Sequence, residues 1–234
     1  MRRYIYFVFL LCCAVNLLLT SCVRQKYVVM DMVHHNPGEA MTESKFLDPS
    51  FLKKNEYGAK VFFLFEAAQF GIDWKSFDPS LFPDTTEAGR WVAEKAEIIH
   101  KKYDAAKKED LQVYCMLDML VLPSLLVEKH RTELTNEQGK LDISKPYTQL
   151  CIRELMKEMF ETFPQLDGLV IRTGETYLHD APYYVGNHPV QNGMYDHITL
   201  INLLREEVCE RRNKKLFYRT WDMGQLHSIP KYYL

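Results

Sequence analysis

The stretch Leu166-Asp167-Gly168-Leu169-Val170-Ile171-Arg172-Thr173-Gly174-Glu175-Thr176-Tyr177 decides how the chain is read. It begins as a short apolar run, β-branched at Val170 and Ile171, and ends in a cation, a glycine and a carboxylate. The run is too short for a helix and lies between Pro164 and Gly174, which predicts a buried strand. A buried parallel strand that stops at polar residues and opens into a long irregular loop is a common way for α/β proteins to present chemistry. Glu175 is therefore the first candidate for a functional side chain.

Working outward, Ser144 and Pro146 open a helix whose apolar face is Leu150, Leu155, Met156, Met159, Phe160 and Phe163, and Pro164 stops it. Before it, Leu111–Asp118 predicts a strand, and Pro123 to Gly139 a short extra helix and a polar turn. Asp84, with Glu87 as capping-box partner, predicts the start of a helix carrying Ala88, Trp91, Val92, Ala96, Ile99 and Tyr103 on one face. Lys101, Lys102, Lys107 and Lys108 crowd the end of that helix, as its dipole favours. Ala59–Glu66 predicts another strand, followed by a loop rich in aromatics and prolines: Phe70, Trp74, Phe77, Pro79, Phe82 and Pro83. A short helix is expected from Asp48, with Pro49 in its first turn and Gly58 past its end. The first strand spans Lys26–Val33 and ends in His34-His35-Asn36-Pro37-Gly38-Glu39. Beyond Glu175, residues 176–194 show no periodicity. A helix follows from about Tyr195, with Ile198, Ile201, Leu204 and Val208 at helical spacing and a stop near Asn213; Leu216–Asp222 is the fifth strand.

Strands that alternate with helices, without repeat or linker, predict one α/β domain over residues 22–234 with a parallel sheet of βα units. No Gly-rich dinucleotide fingerprint follows the first strand, and His34 to Glu39 cannot cradle a phosphate. The expectation is thus a (β/α)8 TIM barrel in preference to an open doubly wound sheet. Five units leave about three missing, on the order of 100 residues at ~30 per unit, so the barrel is expected to be incomplete and C-terminally truncated.

The chain is 47% apolar and 26% charged, enough for one domain with a sizeable core. A net charge of −2 and a pI near 6.5 give no basic footprint, so no nucleic-acid partner is expected. Residues 1–21 have a basic start at Arg2 and Arg3, an apolar run from Tyr4 to Leu19 broken by Asn16, and small residues before Cys22. That is the pattern of a secretory signal peptide, and the run is short for a membrane-spanning helix. Leu19-Thr20-Ser21-Cys22 resembles the lipobox of bacterial lipoproteins. The resemblance implies cleavage before Cys22, its acylation, and anchoring by lipid to a membrane of the bacterial cell envelope, at the outer membrane or the periplasmic face. Cys115, Cys151 and Cys209 have no C-x-x-C spacing and are expected as free thiols.

Polar residues gather at the predicted strand ends: His34 and His35, Glu66, Asp118, Arg172 with Glu175, and Trp221 with Asp222. In a barrel these ends share the face where barrel enzymes place their active sites. Aromatic rings beside carboxylates and amides suit sugars, which offer an apolar C–H face and a rim of hydroxyls. His34 and His35 are adjacent and point oppositely on an extended strand, so no shared metal is expected there, and no cofactor is expected anywhere.

At these residues the chain resembles TIM-barrel glycoside hydrolases of the clan-A type. The resemblance implies a general acid/base Glu at the end of the fourth strand, the position of Glu175, although the motif here is Arg-Thr-Gly-Glu-Thr and not Asn-Glu. Hydrolysis of a glycosidic bond normally needs two carboxyl groups. The family's nucleophile lies near the end of a seventh strand, which leaves Asp118 or Asp222 as the second carboxylate of an inverting or substrate-assisted scheme. Arg172, Trp74, Tyr177, His179, Tyr183, Trp221, His34 and Glu66 are the candidate substrate contacts; singly, Trp74, Tyr177 and Trp221 read first as ordinary loop packing, and Arg172 reads at least as well as an ion-pair partner in the barrel mouth. The expected function is action on an extracytoplasmic oligo- or polysaccharide, weak or absent in the chain as it stands. The alternatives are a non-catalytic glycan-binding lipoprotein and a metal-dependent barrel hydrolase, the latter kept open by His179-Asp180 and His188.

Overall fold

A computed structural model describes residues 28–31, 44–63, 66–173, 176, 178, 181–188, 190 and 193–219. The signal segment, Cys22, His34 and His35 lie outside these residues, as do Glu175, Tyr177, His179, Trp221 and Asp222. Five parallel strands form the main sheet: β1 (Met30–Asp31), β2 (Ala59–Phe62), β3 (Gln112–Asp118), β5 (Gly168–Arg172) and β7 (Lys215–Arg219), bonded in chain order. Two short strands, β4 (Val121–Pro123) and β6 (Tyr184–Gly186), form a separate antiparallel ribbon.

The strand order decides between the two parallel architectures. A doubly wound sheet reverses direction at a switch point. Here each strand adds to the same edge, and right-handed crossovers then place every helix on one face. The core divides accordingly, because side chains alternate along each strand. Phe62, Val113, Cys115, Leu117, Leu169 and Ile171 face outward and pack with the helix residues Val92, Ile99, Tyr103, Leu155, Met159 and Leu204. Ala59, Val61, Phe63, Tyr114, Met116 and Val170 face the other way and form a second, separate cluster with Met30 against it. Helices outside and layered side chains inside are the plan of a (β/α)8 barrel. The described sheet is a curled, five-stranded part of one.

Register stacks the inward side chains in layers across β3, β5 and β7: Tyr114, Gly168 and Lys215, then Met116, Val170 and Phe217, then Asp118, Arg172 and Arg219. On the outward face Lys60 donates at 2.9 Å to both Asp31 and the Phe46 carbonyl, tying β1 to β2.

The helices are α1 (Pro49–Lys54), α2 (Glu87–Lys108), α3 (Ser124–Lys129), α4 (Arg131–Leu134), α5 (Pro146–Thr162) and α6 (Met194–Leu204), which runs on into a π-helical turn at Arg205–Glu210. Asp48 caps α1, its carboxylate accepting from Ser50 N at 2.9 Å. The cap of α2 is Thr86 and not Asp84: Thr86 Oγ1 accepts from Gly89 N at 3.0 Å. The shift follows from a turn at 83–86, closed by Thr86 N and Oγ1 donating to the Pro83 carbonyl. Gly89 permits it, since a Cβ there would lie 2.1 Å from Pro83 O. Asn213 ends the sixth-helix region at a left-handed φ of 53°, as a short amide side chain allows. The segment expected to lack regular structure, 176–194, contains β6. Among the described residues no helix is long and apolar enough to cross a membrane.

Candidate functional site

The uppermost inward layer is charged. Asp118, Arg172 and Arg219 occupy the last positions of β3, β5 and β7 and are in register, so the sheet delivers them side by side at its C-terminal edge. Arg172 Nε donates to Asp118 Oδ1 at 2.5 Å and Nη2 to Oδ2 at 2.7 Å, a two-point bond between side chains only 5% and 4% exposed. The guanidinium carbon sits 4.6 Å from the centre of the Phe63 ring, over a face that attracts cations. Met119 N donates to Arg172 O at 3.2 Å, carrying the β3–β5 pairing one residue further. Arg219 Nη1 approaches Met116 Sδ at 3.9 Å, and buried Thr173 follows Arg172.

A second polar group stands at the start of α6, the end of that helix that faces the C-terminal edge because α6 leads down into β7. Asp196 and His197 are both buried there. The Tyr218 hydroxyl lies 3.3 Å from His197 Nδ1, and the two rings meet edge to face at 5.0 Å. Burial, and secondarily His188, hold His197 below the usual histidine range. His188 is also lowered by burial, and its Nδ1 accepts from Val190 N at 2.9 Å. Asn187 fixes this corner: its Oδ1 accepts from Leu141 N at 2.7 Å and its Nδ2 donates to the carbonyls of Leu141 and His188. Asp196, His197 and Arg219 were not singled out in the sequence. The two helix residues interrupt no apolar period, and Arg219 is one more cation in a basic segment; only their first-turn and strand-end positions were available as signals.

Of the residues expected at the site, the structure brings Asp118 and Arg172 together. Glu66 turns to α2, where its carboxylate pairs with Lys102 and its carbonyl accepts from Tyr103 Oη at 2.9 Å. Trp74 is fully buried at a left-handed φ of 57°, edge-on to Phe77, and exposes no ring face to a ligand. Tyr183 is half-buried, edge-on to Trp91 at 5.7 Å, and lines a groove of about 340 Å³. Among the described residues no cluster of three or more His, Cys, Asp or Glu could hold a metal ion.

The fold and its charged edge define an α/β protein of the (β/α)8-barrel class. No protein-family model matches the sequence, and no curated protein matches it. Among solved structures, a noncanonic maltogenic α-amylase, AmyB from Thermotoga neapolitana, is similar with a TM-score of 0.44 and 14% identity. The match covers 81% of this chain and 44% of that enzyme, so the chain spans less than half of the enzyme's length.

Proposed function

We propose that this chain is a lipid-anchored envelope protein whose barrel acts on an extracytoplasmic oligo- or polysaccharide, with Glu175 as general acid/base. The observation that carries the reading is the charged layer Asp118–Arg172–Arg219 at the C-terminal ends of the parallel strands, with Glu175 three residues past Arg172 in the sequence. That edge is where barrel proteins place reacting groups. Glu175 supplies the proton to the leaving oxygen; Arg172, held by Asp118, fixes the strand end from which Glu175 departs. The anchor is Cys22, behind the apolar run and the small residues Thr20 and Ser21. Release of nitrophenol from aryl glycosides by the purified chain, lost in Glu175→Gln, supports this reading; turnover unchanged in that variant refutes it. Radiolabelled palmitate incorporation lost in Cys22→Ser tests the anchor.

A second reading is glycan binding without hydrolysis. One observation favours it: both oxygens of Asp118, the layer's carboxylate among the described residues, are already engaged by Arg172. Binding without turnover decides for this reading.

A further inference from the structure

We infer that the groove lined by Phe82, Pro83, Leu125 and Tyr183, with Ser124 and Glu128 on its rim, is a distal carbohydrate subsite continuous with the barrel mouth. The inference rests on the glycan reading above and extends it away from the reacting atoms.

The groove is built and rigid. Its two walls come from the far end of the β4–β6 ribbon and from the turn before α2. Ser124 N donates to Tyr183 O at 2.8 Å, locking the start of α3 against the approach to β6. Tyr184, paired with Pro123 across the ribbon, stacks on Phe82 at 5.7 Å and joins the walls. Trp91 supports the Tyr183 ring edge-on. The turn at 83–86 is held by its own hydrogen bonds and by the tight contact at Gly89. A site so supported has little conformational freedom to lose on binding.

The chemistry is amphipathic. Leu125 is 38% exposed although it lies in a concave surface, and Tyr183 offers part of its ring beside it. The Ser124 hydroxyl and the exposed Glu128 carboxylate border this apolar floor. A pyranose matches both features, its C–H face on the ring and its hydroxyls to the rim. At about 340 Å³ the groove reaches the range of small-ligand sites, roughly 300–1,000 Å³.

Position selects the occupant. Pro123 lies five positions past Asp118, so the groove begins no more than about 18 Å from the end of β3 even with the chain fully extended. The ribbon lies between them in the chain: Val121 pairs with Gly186 at the end nearer Asp118, and Pro123, which lines the groove, pairs with Tyr184 at the other. A sugar chain held at the strand ends would need to span no more than that distance to enter the groove. A proline-rich peptide also suits aromatic-lined grooves, but it has no need of the mouth.

The test is affinity electrophoresis of the purified chain in gels containing soluble starch, xylan, mixed-linkage β-glucan or pectin. Retardation is expected in at least one gel, with Tyr183→Ala and Leu125→Asp weakened about tenfold. Leu125 is at the surface, so its variant decides the matter if Tyr183→Ala lowers the melting temperature. Retardation that is equal in wild type and in folded groove variants overturns the subsite and leaves the glycan reading standing. No retardation in any gel overturns both. A decaproline peptide that binds in a Leu125-dependent way, with no glycan retained, also overturns the subsite.

Discussion

Replacing Arg172 by Met removes a guanidinium and keeps most of the side-chain volume. The carboxylate of Asp118, with its side chain 4% exposed, then loses both of its bonds to Arg172. Breaking a buried pair by deleting one partner costs about 3–5 kcal/mol, mainly through the buried charge left behind. The Met stem retains contact with Phe63, so the packing loss is small beside the electrostatic one. For a chain of this size, with a urea m-value of roughly 3 kcal/mol/M, the midpoint of unfolding falls by about 1–1.7 M. Asp118→Asn preserves shape and one acceptor, and costs less. The double variant Asp118→Asn/Arg172→Met is less destabilised than the sum of the two, by about 1 kcal/mol or more, because the residues share one bond pair. Lys101–Glu97 on α2 is the control: at 2.6 Å but with side chains 72% and 67% exposed, its loss in Lys101→Met leaves stability nearly unchanged. An Arg172→Met variant that unfolds no earlier than Lys101→Met, or single effects that simply add, refutes the reasoning.

Gly168→Ala is expected to cost about 1–3 kcal/mol, since its Cβ would stand 2.0 Å from the Lys215 carbonyl on β7 and force the two strands apart; urea unfolding checks it. Asp78 is lowered to about 2, first by the Ser80 hydroxyl and then by Lys129. A folded-state value below the unfolded one stabilises fully above about pH 4 and loses that contribution as pH falls toward 2, so the melting-temperature gap between pH 5 and pH 2.5 should narrow in Asp78→Asn. Burial pushes Cys115 and Cys151 up to about 12, which keeps both as thiols at pH 8. Iodoacetamide mapped by mass spectrometry should therefore modify half-buried Cys209 first and reach the other two only in denaturant; equal labelling of all three refutes this.

What the sequence revealed and what it hid divide along one physical line. The run Leu169-Val170-Ile171 announces a strand because only a buried strand is that short and that apolar. It cannot say which residues face the helices, because both faces are buried: Leu169 and Ile171 lie in the outer core and Val170 in the inner cluster. Asp118 and Arg172 were legible as strand ends, but their pairing needs the β3–β5 register, which no local pattern encodes. Asp84 and Thr86 are both sound caps; the choice was made by the Pro83 carbonyl and the space at Gly89. β6 escaped because three residues carry no period, and Val185 between its neighbours is exposed. Trp74 looked like a sugar platform by residue type alone, but it is fully buried in the core, edge-on to nearby Phe77.

The pairing also changes which carboxylates can share the chemistry. Both Asp118 oxygens point at the Arg172 guanidinium, so neither is placed to attack a sugar carbon or to protonate a leaving oxygen. Asp118 is then a positioning residue, and a two-carboxylate mechanism must draw its second group from elsewhere. Register suggests where. Arg172 and Arg219 are direct partners across β5 and β7, Glu175 stands three residues past the first, and Asp222 stands three residues past the second. Asp222 thus has the same sequence offset from its registered arginine as Glu175 has from its own. On any glycoside the chain turns over, Asp222→Asn should therefore lower kcat at least a hundredfold with the melting temperature unchanged, as expected of an acid or base acting on the reacting atoms. Asp118→Asn should lower the melting temperature, with kcat falling far less. The reverse pattern, a stable Asp118→Asn that is inactive beside an active Asp222→Asn, returns Asp118 to the chemistry and removes Asp222 from it.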